Sequence, residues 1–267
     1  MDDGLRDARR TVERARAREE AEQAKRTTGA AERAAVLRVR TIHGSSGLRR
    51  FLLDNGLSLV SFALFAVTLV GLLFTGAAEY SEDQRAHGQA AVSVAAYVRT
   101  GAFVEALTEN WESEFLQMGI FVLLTAKLYQ RGSAESKHLE EPEQSDEDPR
   151  AHRHDPDAPW AVRAGGLPLA VYRHSLSLAL MLLFVASFAL HAMGGAREYS
   201  EEQREHGGQP VTALQYAVSS RFWFESFQNW QSEFLSVGVL VLLTIGLREQ
   251  GSSQSKPVAA PSRETGH

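Results

Sequence analysis

A ten-residue motif that carries carboxylates, an arginine and a histidine occurs twice in the chain. It reads EYSEDQRAHG at 79–88 and EYSEEQREHG at 198–207. On a helix its first, fifth and ninth residues share one face. These residues are Glu79, Asp83 and His87 in the first copy and Glu198, Glu202 and His206 in the second. Such a face could bind a divalent cation or relay protons. We favour the alternative, a solvated helix end, because rows of this kind are common on exposed helices.

Each copy also contains an arginine three residues after a glutamate. Arg85 follows Glu82, and Arg204 follows Glu201. Residues at this spacing are neighbours on a helix surface, so each arginine could form an ion pair within its own motif.

A second repeated motif places an amide and a carboxylate four residues apart. Asn110 precedes Glu114 in NWESEFL, and Asn229 precedes Glu233 in NWQSEFL. An ionisable group inside a membrane span is costly, so it is expected to face a partner or an aqueous cavity. The candidate partners are Arg85, Arg204, His87 and His206. Two interpretations stay open: a functional pathway, or contacts that lock the helix ends together.

Long uncharged segments must position these motifs. Residues 55–78 and 174–196 contain no Asp, Glu, Lys or Arg, and a helix of about 20 apolar residues crosses a bilayer. Two shorter segments, 115–126 and 234–247, reach the required length if they extend outward to Trp111 and Trp230, whose rings would lie at the headgroup level. The alternative for these two segments is a re-entrant or interfacial helix. We favour the longer reading, which predicts four membrane spans.

The chain is also predicted to be a duplication. A shift of 119 aligns the two halves without a gap, and 28 of the 61 positions between 77 and 137 are then identical. The best-matched stretches are polar, so apolar composition does not explain the match. We predict an all-α integral membrane four-helix bundle built from two tandem two-span repeats, with a pseudo-symmetry axis along the membrane normal.

Capping residues mark the predicted helix ends. Gly88 and Gly207 are suited to end the two motif helices. Ser93 and Thr212, the latter with Gln215 three residues later, are suited to start a short helix. Thr100 and Ser220 are predicted to start the helices that return to the membrane.

Five segments follow from these patterns. They are a charged N-terminal segment at 1–48, the first two-span repeat at 49–137, an acidic disordered linker at 138–160, the second repeat at 161–256 and a disordered tail at 257–267. Basic residues flank the spans on the side of the termini and the linker, which the positive-inside rule places in the cytoplasm. The predicted location is therefore a cell membrane, with both termini in the cytoplasm; the family resemblance described below implies that this is the bacterial cytoplasmic membrane.

Composition excludes several functions. The chain has no cysteine, so it has no disulfide, thiolate nucleophile or Cys-ligated metal. Its net charge of −5 gives no global attraction to nucleic acid. No nucleotide-binding or hydrolase motif is present. We expect no enzymatic activity, no cofactor and no metal site. The mean hydropathy of −0.22 conceals the spans, because polar segments offset them.

The two repeated motifs, together with GSAESK at 132–137 and GSSQSK at 251–256, resemble those of a bacterial transmembrane family known only as a domain of unknown function. The resemblance covers roughly residues 49–256 and implies a multi-pass membrane protein without transferring an activity. We favour a non-catalytic structural or interaction protein. The alternative is a small ion or proton channel or transporter with an outward Glu/Arg/His vestibule; a metal-dependent hydrolase is least favoured. The expected partners are the bilayer, a second copy and a cytoplasmic protein that contacts 1–48.

Overall fold

The structure, a computed structural model, describes residues 47–138 and 143–266. Within these ranges the chain forms nine α-helices and no strand, which confirms the all-α prediction for this part of the protein. The helices are α1 (Leu48–Asp54), α2 (Gly56–Ala86), α3 (Val94–Tyr97), α4 (Gly101–Thr125), α5 (Trp160–Ala164), α6 (Gly166–Tyr172), α7 (Ser175–Glu205), α8 (Ala213–Ala217) and α9 (Ser220–Gly246). The predicted N-terminal segment 1–48 lies almost wholly outside the described residues.

The chain divides into two compact units between Leu72 and Leu73, within α2. The described part of the first unit comprises α1 and the first half of α2. Its large apolar side chains are exposed, including Leu57, Phe62 and Val67. A helix that is apolar all round needs an apolar environment on every side.

The second unit has its core around α7. Helix α4 packs along α7 more extensively than any other pair, α9 packs against α4, and the short α8 lies against both α7 and α9. Four buried residues form the centre of the core: Ala192, Ala196, Tyr216 and Phe222. Phe188 covers them with its ring at right angles to that of Phe222, at a centroid distance of 4.9 Å.

Two glycines allow α4 and α7 to approach at backbone distance. A Cβ atom on Gly101 would lie 2.5 Å from the amide nitrogen of Glu198, and one on Gly194 would lie 2.7 Å from that of Glu105. Both distances are below van der Waals contact, so only glycine fits at this crossing. The crossing holds the N-terminal half of α4, and the glutamates on it, against the second half of α7.

Within residues 47–138 and 143–266, two helices, α2 and α7, are long and apolar enough to cross a membrane. Helices α4 and α9 contain 25 and 27 residues, and about 1.5 Å per residue would also span a bilayer. From the N-terminal turns to the centre, however, both helices carry charged residues: Glu105, Glu109, Glu112 and Glu114 on α4, and Arg221, Glu225 and Glu233 on α9. The prediction of four spans is therefore supported for two helices only.

Local signals predicted several helix ends. Gly88 and Gly207 follow α2 and α7 with φ of 76° and 74°, so the predicted glycine stops are confirmed. Ser93 caps α3, Thr100 caps α4, and Thr212 forms a capping box with Gln215 at α8. The prediction that the returning helix starts at Ser220 is confirmed, since α9 begins there; its N-cap is Ser219, whose hydroxyl accepts from the amide of Phe222.

The linker and the tail contain local structure. Two 3-10 turns, Gln144–Asp146 and Pro149–His152, lie in the acidic linker. In the tail, the Gly266 amide donates to the Ser133 carbonyl at 3.0 Å, and the Thr265 hydroxyl accepts from the Gly132 amide at 2.9 Å. Whether these two segments are disordered in solution stays a prediction.

Candidate functional site

The repeated EYSE motifs lie at exposed ends of α2 and α7. Arg85, His87, Arg204 and His206 are all exposed. Each histidine donates from Nδ1 to the carbonyl four residues earlier, at 3.0 Å for His87 and 2.8 Å for His206. The two imidazole rings meet edge to face at a centroid distance of 6.2 Å. The two histidines are therefore brought together, but in a solvated position.

Hydrogen bonds between side chains link these two helix ends. The Tyr80 hydroxyl donates to Glu201 at 3.2 Å, and the Gln89 amide donates to Glu205 at 2.7 Å. Neither acceptor is among the ten residues predicted for the site. Of those ten, Glu79 is exposed and Glu198 is half-buried.

The NW-x-SE motifs do not reach the arginines or histidines proposed as their partners. Among the described residues, neither Glu114 nor Glu233 forms an ion pair with the four candidate partners. The two carboxylates instead lie near enough to repel each other. Asn110 donates to a carbonyl of its own helix at 3.0 Å, whereas Asn229 donates to the carboxylate of Glu109 on α4.

The structure places a different polar cluster in the interior, where α4, α7 and α9 meet. Glu112 and His191 are fully buried and joined by a hydrogen bond of 2.8 Å between Glu112 Oε2 and His191 Nδ1. The other carboxylate oxygen of Glu112 accepts from the indole nitrogen of Trp230 at 2.9 Å. The ring of His191 also lies on Phe222, at a centroid distance of 4.7 Å. The imidazole of His191 is thus held at Nδ1 by the Glu112 carboxylate and on one face by the Phe222 ring.

Two further carboxylates face the other side of His191. Glu225 Oε2 lies 3.5 Å from His191 Nε2, and Glu105 joins them so that one ligand atom from each residue lies within 4.8 Å of the others. His191 Nε2 itself is buried and has no hydrogen-bond partner. The hydroxyl of Tyr216 lies between the carboxylates, 3.0 Å from Glu105 and 2.5 Å from Glu225.

The two carboxylates differ in their electrostatic environment. Glu105 is half-buried, and its carboxylate faces the hydroxyl of Tyr216. Glu225 is also half-buried, and its carboxylate faces Tyr216, Arg221 and His191. Arg221 donates to Glu225 at 3.1 Å and pairs with Glu202 on α7. Burial beside these carboxylates raises the pKa of Tyr216, which keeps its hydroxyl protonated.

An acidic cleft reaches this cluster from the surface. It has a volume of about 310 Å³, and Glu105 is one of the residues that line it. The other acidic residues that line it are Glu79, Asp83, Glu109 and Glu198. One oxygen of Glu198 is buried without a hydrogen-bond partner. The cleft joins two residues of the predicted site, Glu79 and Glu198, to the interior cluster.

The sequence analysis missed the interior cluster because it followed residues that the two halves share. At the spacing of 119, His191 corresponds to Leu72, Glu105 to Phe224, Glu112 to Gln231 and Glu225 to Ala106. One signal was available: His191 interrupts an otherwise apolar segment, and Glu105, Glu109 and Glu112 share a helix face. A buried ionisable residue in such a segment requires a partner, and α4 offers three.

A second buried polar contact closes the far ends of α4 and α9. Lys256, only 1% exposed, donates from Nζ to the carbonyls of Gly132, Ser262 and Glu264. The hydroxyls of Ser133 and Thr244 lie 2.9 Å apart beside it. Three backbone carbonyl oxygens thus accept the three hydrogens of the Lys256 ammonium group, so this contact holds the chain segments together.

Residues 48–267 match the model of one protein family, described as Domain of unknown function (DUF6766). Since the match covers most of the chain, the protein belongs to this family. The chain matches no curated protein and no solved structure.

Proposed function

We propose that this protein is a non-catalytic membrane protein in which a buried polar network holds the helices of the second unit together. The observation that carries the proposal is the fully buried contact between Glu112 and His191, extended to Trp230. It joins α4, α7 and α9 through side chains that would be costly to bury apart. Interhelical polar contacts of this kind are a recognised way to hold helices together in a bilayer.

Apolar exposure supports insertion into a membrane. The most apolar part of α2 has no buried residue, and α7 exposes Leu182 and Val185 on the side away from the core. Exposed apolar surface of this extent marks contact with lipid or with another protein. We infer four spans in two tandem repeats, with α4 and α9 as the shorter pair, both termini in the cytoplasm and a bacterial cytoplasmic membrane as the location.

Matching helix bounds support the duplication. Helices α2 and α7 begin and end at positions that differ by 119, and each has 31 residues. The expected partners are lipid, a second copy of the chain and a cytoplasmic protein that contacts 1–48. Nucleic acid is not an expected partner, given the net charge of −5.

A second candidate function is the conduction of protons or cations. The acidic cleft favours it, because five carboxylates around one cavity would concentrate cations. In this case the cleft would act as the vestibule, with Glu79 and Glu198 from the predicted set and Glu105 at its inner wall.

The two functions differ in a combined stability and flux experiment on purified protein in EDTA. Under the structural proposal, Glu112→Ala lowers the free energy of unfolding by about 3–5 kcal/mol, because His191 is left buried without its partner. The matched control is Gln231→Ala at the equivalent exposed position, with an effect within about 0.5 kcal/mol. Liposomes that contain the wild type should leak protons no faster than empty ones.

A proton or cation flux in the wild type that Glu105→Gln or Glu198→Gln abolishes would overturn the structural proposal. A Glu112→Ala variant as stable as the wild type would do the same.

A further inference from the structure

We propose that Glu105, His191 and Glu225 form a binding site for one divalent transition-metal ion. The three side chains come from α4, α7 and α9, and their ligand atoms lie within 4.8 Å of one another. One imidazole nitrogen and two carboxylates are a donor set that zinc, manganese and iron accept. The sequence analysis expected no metal site, and the proposal revises that expectation.

The orientation of His191 is the first argument. Glu112 Oε2 lies 2.8 Å from His191 Nδ1, and a carboxylate can only accept, so Nδ1 carries a hydrogen. In the neutral imidazole this leaves a lone pair on Nε2, which faces Glu105 and Glu225. Metal-binding histidines commonly donate their other ring nitrogen to a carboxylate, which fixes both tautomer and ring orientation. Trp230 fixes Glu112 in turn.

The shortage of donors inside the cluster is the second argument. His191 Nε2 is fully buried without a hydrogen-bond partner. Tyr216 has one hydroxyl hydrogen, yet its oxygen lies within 3.0 Å of both Glu105 and Glu225. Besides the Arg221 donor on Glu225 Oε1, three acceptor atoms, namely His191 Nε2, Glu105 Oε1 and Glu225 Oε2, therefore face one hydrogen. A cation at their centre would satisfy all three groups.

The charge balance is the third argument. Glu105, Glu112 and Glu225 carry three negative charges when ionised, and Arg221 supplies one positive charge through Glu225. Arg221 also pairs with Glu202, so at least two negative charges remain uncompensated around a neutral His191. Buried charges are normally paired or coordinate metals, and a divalent ion would restore neutrality.

The geometry requires only a small closure. Neighbouring ligand atoms of a tetrahedral ion lie about 3.4 Å apart for bonds of about 2.1 Å. From separations of up to 4.8 Å, the carboxylates must move inward by roughly 1 Å. Glu105 and Glu225 can do so by side-chain rotation, whereas His191 is held in place. Glu105 also lines the acidic cleft, which gives an ion a path from solvent.

The first test is a zinc titration of the purified full chain in detergent after removal of metals with EDTA. The wild type should bind one equivalent of Zn²⁺ in competition with a chromophoric chelator. Glu105→Gln and Glu225→Gln should each weaken binding at least about tenfold, since even the loss of a supporting residue costs 10–100-fold. The matched control is Glu201→Gln, a carboxylate on α7 outside the triad, which should bind like the wild type.

A Co²⁺ titration keeps the proposal testable if a variant fails to fold. Wild-type protein should develop visible d–d absorption with one equivalent of Co²⁺, and His191→Gln should lose it. Glu112→Gln should keep the absorption but bind about 10–100-fold more weakly, because it supports the ligand without touching the ion.

The proposal is overturned if the wild type binds no stoichiometric Zn²⁺ or Co²⁺, in which case His191 is an imidazolium between Glu112 and Glu225. It is equally overturned if Glu105→Gln and Glu225→Gln bind like the wild type. The proposed structural function is independent of this outcome, because its stability test is performed in EDTA.

Discussion

The two buried tyrosines Tyr97 and Tyr216 occupy equivalent positions in the two halves, 119 residues apart, on the short helices α3 and α8. Each packs its ring against a glycine of the long helix, Gly76 or Gly195. Their polar surroundings differ. The ring of Tyr97 packs on the rings of Tyr80 and Phe103, whereas the Tyr216 hydroxyl contacts two glutamates.

The residues next to the two tyrosines include contacts that both halves share. Ser81 and Ser200 each bridge back to the segment before the short helix, through Val92 and Val211. These shared residues build a common framework. The residues that differ between the halves build the interior cluster. The comparison teaches that the repeated motifs stabilise the helix ends, while the chemistry lies at positions where the halves have diverged.

The largest expected effect comes from making the second half resemble the first. His191→Leu introduces the residue found at Leu72 and leaves the Glu112 carboxylate buried without its partner, which should cost about 3–5 kcal/mol. Adding Glu112→Gln, the residue found at Gln231, removes the buried charge and should recover at least half of the loss. Chemical unfolding in detergent measures both. If the double variant is no more stable than the single one, the two residues are not coupled.

A smaller effect should separate the two tyrosines. Tyr216→Phe removes a hydrogen bond to a charged carboxylate, worth about 1.5–3 kcal/mol, whereas Tyr97→Phe should change the free energy of unfolding by no more than about 0.5 kcal/mol. Thermal unfolding of both variants checks this. Equal losses would show that the interior cluster gives Tyr216 no special role.

The smallest expected effect tests the shared framework. Gly76→Ala and Gly195→Ala each bring a Cβ into a buried tyrosine ring, and such overpacking costs about 1–3 kcal/mol. Both halves should respond alike. The control is Gly238→Ala, where a Cβ would meet nothing within 4 Å, so the higher helix propensity of alanine should stabilise by up to about 1 kcal/mol. A response confined to one half would break the equivalence of the two tyrosines.

Local chemistry predicted the helix ends better than the interior. Gly88, Gly207, Ser93 and Thr212 act within a few residues of themselves, so the sequence reveals them directly. The interior cluster joins residues 79 to 118 positions apart, and no local pattern records such contacts. Glu105 and Glu225 were not predicted, because the candidate residues were chosen from motifs that both halves share and these two have no acidic counterpart in the other half. Of the ten predicted residues, the cleft contains Glu79 and Glu198.

The separation between Glu112 and His191 has a consequence for biosynthesis. Glu112 leaves the ribosome 79 residues before His191, a delay of about 4–16 s at 5–20 residues per second. During that interval α4 carries several glutamates without their later partners, and one acidic residue at the centre of a span costs about 2.5–3.5 kcal/mol to insert. On the proposed four-span topology, stable insertion of α4 depends on the arrival of α7, and a ribosome that stalls between the two halves would leave the first half poorly anchored.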